Sequence, residues 1–314
     1  MPPERPHSEC APRRGRPPRR LARPSLLGAL ALCPAAVALA LLCCRPEPLA
    51  LAAANTLSLT VVDRNDRLLR AYTTPSGRWR LPCEPAQVDE RYLAMLIALE
   101  DRRFFSHHGV DGLALLRAAW QLVRYRRIVS GGSTLTMQVV RLLQGEHERS
   151  AAGKIRQALS AWALEKRLSK PAILGLYLRL APFGGNLEGV RAASLAYFGR
   201  EPRRLSLAEA ALLVALPQSP RSRRPDRFAT FALIARNRVL DRAVGAGVIG
   251  REDALRARVA PVPTARRPFP MLAAHLADAE IARDPLRLVH QLTIDATATR
   301  ATERWLPSAS ARST

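Results

Sequence analysis

Two segments of the chain carry residue types that could do chemistry together. The first is Glu100-Asp101-Arg102-Arg103-Phe104-Phe105-Ser106-His107-His108-Gly109. It sets an acidic pair at the end of a strongly apolar run, with Phe104, His107 and a glycine just beyond. The second is Gly131-Gly132-Ser133-Thr134-Leu135-Thr136-Met137-Gln138, a glycine pair opening a hydroxyl-rich helix. A carboxylate at the end of a buried helix is desolvated and faces the negative end of the helix dipole. Both effects suit Glu100 to act as a general base near neutral pH. The free amides of a helix start bind phosphate or sugar oxygens. Gln138 and Arg141 follow Thr134 at i+4 and i+7, so they share its face and extend such a cradle with an amide and a fixed positive charge. Taken singly, each feature has a plainer reading: Glu100 paired with Arg102 or Arg103, His107 as a structural hydrogen bonder, Ser133 or Thr134 as a simple helix cap.

A third cluster lies in the first turns of the helix that starts near Ala151. There Lys154 and Gln157 share a face at i, i+3, with Arg156 beside them. Glu165, near the end of that helix, reads as a local partner of Arg167 or Ser169. Pro182-Phe183-Gly184-Gly185-Asn186 reads as a turn between helices.

The elements that must position these groups are mostly helices. Leu57–Val62 and Leu68–Tyr72 form a short hairpin around Asp63–Asp66. From Val88 the apolar spacing becomes helical: Tyr92, Met95, Leu96 and Leu99 keep one face, and the run to Glu100 is apolar nearly all round, the mark of a buried helix. Further helices are expected over 111–128, 133–144, 151–168, 170–178, 187–197, 206–216 and 226–246, with Ser206 and Glu209 forming a capping box. No period-2 strand of any length follows residue 80. The helix over 111–128 places Leu113, Leu116, Trp120 and Val123 on one side, with Arg117, Arg124, Arg126 and Arg127 as its polar part, so it can lie on lipid headgroups or on the core. Residues 258–270 are rich in Pro and Arg and read as a linker.

The chain has 314 residues, a 48% hydrophobic composition and a formal charge of +23. That charge calls for an anionic neighbour: nucleic acid, an anionic membrane or a phosphate-bearing substrate. The five cysteines show no metal-ligand spacing. The first residues decide the address. Arg13, Arg14, Arg16, Arg19, Arg20 and Arg23 head an uncharged run over 25–44, which as a helix spans roughly 30 Å, a bilayer core. The arginines stay on the cytoplasmic side, so the rest lies outside the cytoplasm. The competing reading is a cleavable signal peptide with Ala52-Ala53-Ala54 at its site. Either reading excludes nucleic acid as the partner. The organisation expected is a basic tail at 1–24, an anchor at 25–44, a hairpin and linker at 45–84, a catalytic domain at 85–257 and a linker with the start of another domain at 258–314.

The order of these motifs resembles the family 51 peptidoglycan glycosyltransferases, the glycan-polymerising module of class A penicillin-binding proteins, and is most similar to the C subtype. Glu100-Asp101-x-x-Phe104-x-x-His107-x-Gly109 resembles the first family motif, and Gly131 to Gln138 the second. Lys154 to Leu178, with Leu164-Glu165 and Ser169-Lys170, resembles the third and fourth. The likeness continues through Tyr197-Phe198-Gly199 and Leu205 to Pro220. The resemblance implies a mainly α, lysozyme-like domain with a short N-terminal β-hairpin and a single N-terminal transmembrane helix. It implies lipid II and the growing glycan chain as substrates, with membrane lipids and cell-wall synthesis proteins as partners, in a single-pass bacterial inner membrane protein.

By the same resemblance, Glu100 deprotonates the acceptor sugar's 4-hydroxyl, and Asp101 and Gln157 belong to the catalytic set. Phe104, His107, Ser133, Thr134, Thr136, Gln138, Arg141, Lys154 and Arg156 would bind substrate. No tightly bound cofactor is expected; a divalent cation, Mg or Mn, is admitted as a helper for the leaving pyrophosphate, with unknown ligands. Gly153, Gln157 and Arg179 stand where the family has Arg, Glu and Asn. No Ser-x-x-Lys, Lys-Thr-Gly or Ser-x-Asn of a transpeptidase occurs, although Val289–Asp295 resembles the start of that domain. Two alternatives remain at this stage: a lysozyme-like lytic enzyme, and a weak or inactive remnant acting as an envelope interaction protein.

Overall fold

The computed structural model describes residues 49–126, 132–145 and 150–305. The proposed basic tail and the anchor over 25–44 lie outside these residues. Among the described residues no helix is long and apolar enough to cross a membrane.

The fold is mainly helical, as expected. A short helix α1 (Leu51–Ala54) precedes a hairpin of β1 (Thr60–Val62) and β2 (Leu68–Ala71), then β3 (Trp79–Arg80). The helices that build the domain follow: α2 (Glu90–Glu100), α3 (Gly112–Tyr125), α4 (Leu135–Gln144), α5 (Ala151–Glu165) and α6 (Lys170–Leu180). After β4 (Pro182–Gly184) and β5 (Leu187–Glu188) come α7 (Val190–Phe198), α8 (Leu207–Ala215), α9 (Ala229–Gly245) and α10 (Arg251–Val259). The chain continues through α11 (Ala274–Arg283), β6 (Val289–Gln291) and α12 (Ala296–Trp305).

Helix α8 is the axis of the domain. Ala208 and the whole run Ala210–Ala215 are buried, which is why its sequence is apolar all round. Helices α2, α7, α9 and α10 pack on it. It starts where the sequence says it should: the Ser206 hydroxyl accepts from Glu209 N while the Glu209 carboxylate accepts from Ser206 N. Helix α2 is capped by Asp89, which accepts from Arg91 N, and buries Tyr92, Met95 and Leu96. Helix α4 runs from a Thr134 cap to a left-handed Gly145, and lies against α5 and α6.

Three features depart from the sequence reading. Helix α7 begins at Val190, and residues 187–188, expected to be helical, form β5, which pairs antiparallel with β4 and parallel with β3. Strand β6 pairs parallel with β1, giving a sheet of order β2-β1-β6. These strands are two or three residues long, too short to show a period. The stretch read as a linker is docked on the domain. Arg236, buried in α9, donates to the carbonyls of Arg258 and Ala260. Arg267 N donates to Ala196 O at 2.7 Å, and Phe269 stacks on Trp79 with ring centres 4.3 Å apart.

Candidate active site

Glu100 is the last residue of α2, where side chains leave the core. Its carboxylate is held at both oxygens by amides from different elements. Gln138 Nε2, on α4, donates to Oε2 at 2.9 Å, and Gln218 Nε2, in the 3-10 turn after α8, donates to Oε1 at 2.6 Å. The plainer reading of Glu100 as an arginine partner does not hold for Arg103, whose guanidinium pairs with Asp111.

Asp101 faces the other way and is buried. It accepts from Leu135 N at 2.9 Å, and His107 Nε2 lies 2.9 and 3.0 Å from its two oxygens. His107 Nδ1 lies 3.5 Å from Lys170 Nζ, which also donates to Glu165 Oε1 at 2.7 Å and stands over the Phe104 ring. Glu165 in turn accepts from the Thr136 hydroxyl. One buried polar network therefore ties the segment after Glu100 to α4, α5 and α6.

The cationic wall stands one turn beyond Gln138. Arg141 occupies that turn of α4, and among the described residues its buried Nε has no hydrogen-bond partner. Lys154 faces it from α5: its ammonium donates to Ser133 Oγ and to Gln157 Oε1 at 3.3 Å. Although the Lys154 side chain keeps contact with water, crowding by the protein and then the nearby Arg141 charge hold it below the ordinary lysine value. Tyr177, fully buried, feels both halves of the site. Burial pushes its phenol well above the usual value; Tyr92 and Glu100 add to that, and Arg141 opposes it. The arrangement sets a carboxylate beside a pair of cations, suited to a hydroxyl nucleophile and a phosphate leaving group.

Several expected substrate contacts are turned inward. Thr134 is buried; its hydroxyl accepts from Met137 N at 3.1 Å and donates to Gly109 O at 2.6 Å. Thr136 and Phe104 are fully buried. Asp101 is buried with these three, and His107 is largely covered and bonded to it. Ser133, Gln138, Arg141, Lys154 and the half-buried Arg156 and Gln157 are only partly covered or exposed. Gln157 Nε2 donates to Met137 O at 2.7 Å, a bond that a Glu at this position could not make. Arg179 is engaged with Gly175 O and with Glu84, 3.8 Å away. Sequence reasoning missed the contacts of Gln218 with Glu100, of Lys170 with His107 and of Glu165 with Thr136, because each joins segments remote in the chain.

Helix α3 does not bury its apolar stripe. Leu113, Leu116 and Trp120 are 62%, 68% and 60% exposed, and Phe105 before it is 62% exposed. Arg117, Arg124 and Arg126 are exposed with them.

A model of the Transglycosylase family matches residues 65–244. Penicillin-binding protein 1C of Escherichia coli (strain K12) is 47% identical over 226 residues, which cover 72% of this chain and 29% of that protein. Penicillin-binding protein 1A of Aquifex aeolicus (strain VF5) is 40% identical over 186 residues, covering 59% of this chain and 25% of that protein. The crystal structure of penicillin-binding protein 1A from Haemophilus influenzae overlaps with a TM-score of 0.39 at 18% identity, over 73% of this chain and 25% of that one. The chain thus spans less than a third of the length of these relatives. With the family match running from the β1–β2 hairpin to the last turn of α9, this chain belongs to the transglycosylase family.

Proposed function

We propose that this chain is a membrane-anchored peptidoglycan glycosyltransferase that polymerises lipid II into β-1,4 glycan strands, releasing polyprenyl pyrophosphate. The observation that carries this reading is the line Glu100–Gln138–Arg141–Lys154: one oriented carboxylate, then two cations on facing helices. Glu100 takes the proton from the 4-hydroxyl of the acceptor sugar as that oxygen attacks the anomeric carbon of the growing chain. The bond to the pyrophosphate breaks, the configuration inverts, and the charge that develops on the leaving oxygens is met by Arg141 and Lys154. Arg141 Nε is a donor in want of an acceptor, which a phosphate oxygen supplies. A lytic enzyme of lysozyme type has no use for such a wall.

The divalent cation admitted from the resemblance is given no ligand set in this reading. Among the described residues no three His, Cys, Asp or Glu side chains converge on a metal position, and Gln157 occupies the place of the family's Glu. Neutralisation is assigned to the two basic side chains, and no step runs through an ion.

The substrate's polyprenyl tail keeps the reaction at a bilayer. The exposed apolar face of α3, bordered by arginines, is suited to rest in an anionic lipid surface beside the cleft. Residues 25–44 supply the anchor in this reading, with the domain on the extracytoplasmic side. Labelled lipid II incubated with the purified protein in detergent or vesicles tests the proposal. Polymer resistant to boiling and degraded by lysozyme supports it; unchanged lipid II, or shorter fragments released from preformed glycan, contradicts it.

A further inference from the structure

The turn that follows α8 reaches back to the carboxylate of Glu100, and its geometry is built in layers. Gln218 closes the 3-10 turn Leu216–Gln218. Arg223, on the same loop, donates from Nη1 to Ala215 O and to Gln218 Oε1, both at 2.8 Å. A guanidinium has no acceptor. The oxygen of the Gln218 amide must therefore face Arg223, and the nitrogen must face Glu100 Oε1, 2.6 Å away. Without Arg223 the amide oxygen loses its anchor, and the side chain is free to swing away from the carboxylate.

The loop is itself braced. Arg224 pairs with Asp226, and Arg266, from the docked stretch after α10, reaches Asp226 at 3.3 Å and Gly184 O at 2.8 Å. At Gly184, φ is +106° and an added Cβ would stand 2.9 Å from Pro220 O, so strand β4 and the loop are in direct contact. Partial burial, with Arg238 nearby, holds the Arg223 guanidinium below its ordinary value, while Glu100 pulls it back up. Gln218 itself is exposed, so the fold does not depend on its side chain.

We propose that Gln218, with its amide oriented by Arg223, is a positioning residue that fixes the rotamer of the Glu100 carboxylate for proton transfer. The inference rests on the base role of Glu100 argued above. A terminal helix residue has free χ angles. Gln138 restrains one oxygen, and Gln218 supplies the second point that fixes the plane of the carboxylate and leaves its remaining lone pairs toward the cleft. Misplacing a proton acceptor by about 1 Å costs on the order of a hundredfold in rate without weakening substrate binding.

The test is a set of purified full-length variants assayed on lipid II, with melting temperatures recorded alongside. Gln218→Met keeps the shape and removes the donor; it is expected to lower kcat about ten- to a hundredfold with KM within about twofold of wild type. Arg223→Met is expected to lower kcat similarly, and the double variant to lose no more than the worse single one, since both act through one amide. Gln218→His restores a donor at Nε2 and an acceptor at Nδ1 and is expected to recover much of the rate. Wild-type kcat in Gln218→Met, or a loss wholly in KM, overturns the inference while leaving the polymerase reading intact. Absence of polymer with the wild-type protein removes that reading, and this inference with it.

Discussion

His107 and Asp101 are locked together: His107 Nε2 lies 2.9 and 3.0 Å from the two carboxylate oxygens of Asp101. Lys170 Nζ approaches the other ring nitrogen at 3.5 Å. An ammonium cannot accept, so Nδ1 carries the lone pair and Nε2 carries the hydrogen that Asp101 receives. Asp101 also receives Leu135 N, which fixes the start of α4 relative to the end of α2. That explains why an acidic pair precedes a histidine in the first motif: the first carboxylate is presented to the cleft and the second holds the scaffold that presents it.

Asp101→Ala is therefore expected to act on stability as well as on rate. It leaves Leu135 N and His107 Nε2 unpaired in a largely buried place, at about 1–3 kcal/mol for each stranded group. A drop of several degrees in the melting temperature, followed by circular dichroism, accompanies the loss of polymerisation. An unchanged melting temperature contradicts the scaffold role.

Gly109→Ala tests the same corner of the site by sterics alone. The glycine has φ +82°, and a Cβ would lie 2.7 Å from Ala161 C and from Trp162 N in α5. Backbone atoms cannot swing aside, so the substitution displaces the loop whose carbonyl receives Thr134. The expected cost is on the order of 1–3 kcal/mol or more from the left-handed conformation and the clash, read as a lower midpoint in urea. A midpoint equal to wild type sinks this account of the loop.

What was legible in the sequence was local. The Ser206–Glu209 cap, the apolar run of α2 and the Thr134 start of α4 each follow from neighbours a few residues apart. Glu100 and Gln138 are legible because both stand at helix positions that a motif marks. The contact of Gln218 with Glu100 spans 118 residues, and no periodicity announces it. The sequence around Glu165 suggests Arg167 or Ser169 as its partner, yet its oxygen meets Lys170 and, on another helix, Thr136. Strand β6 is three residues long and is defined only by its partner β1. The apolar stripe of α3 suited lipid or core equally on paper; its exposure decided that it does not enter the core.

The lowered lysine at position 154 gives the cationic wall a pH dependence. A cation whose folded value is depressed loses its charge, as pH rises, before an ordinary lysine does. Binding of an inorganic pyrophosphate probe is expected to weaken on the alkaline side below that ordinary range. Lys154→Arg should move this limb upward, and Arg141→Ala should weaken binding about ten- to a hundredfold at neutral pH. Titration by calorimetry checks it; an alkaline limb unmoved in Lys154→Arg shows that another group controls the anion.

Gln157→Glu asks whether the departure from the family pattern is a handicap. The native amide donates to Met137 O at 2.7 Å, and a carboxylate would set an oxygen against that carbonyl. The change is expected to lower the rate of polymerisation, and to destabilise by about 1–3 kcal/mol if the carboxylate stays inward. A several-fold gain in polymer from Gln157→Glu contradicts this reading of the site.

The central claim is that the carboxylate of Glu100 takes the acceptor's proton. Its most direct test is polymerisation of labelled lipid II by Glu100→Gln, which preserves the shape of the side chain while removing the base. The account predicts no detectable glycan polymer from this variant, with a melting temperature near wild type and lipid II still bound. Polymer formed at a near-wild-type rate by Glu100→Gln would contradict it and move the base to another residue.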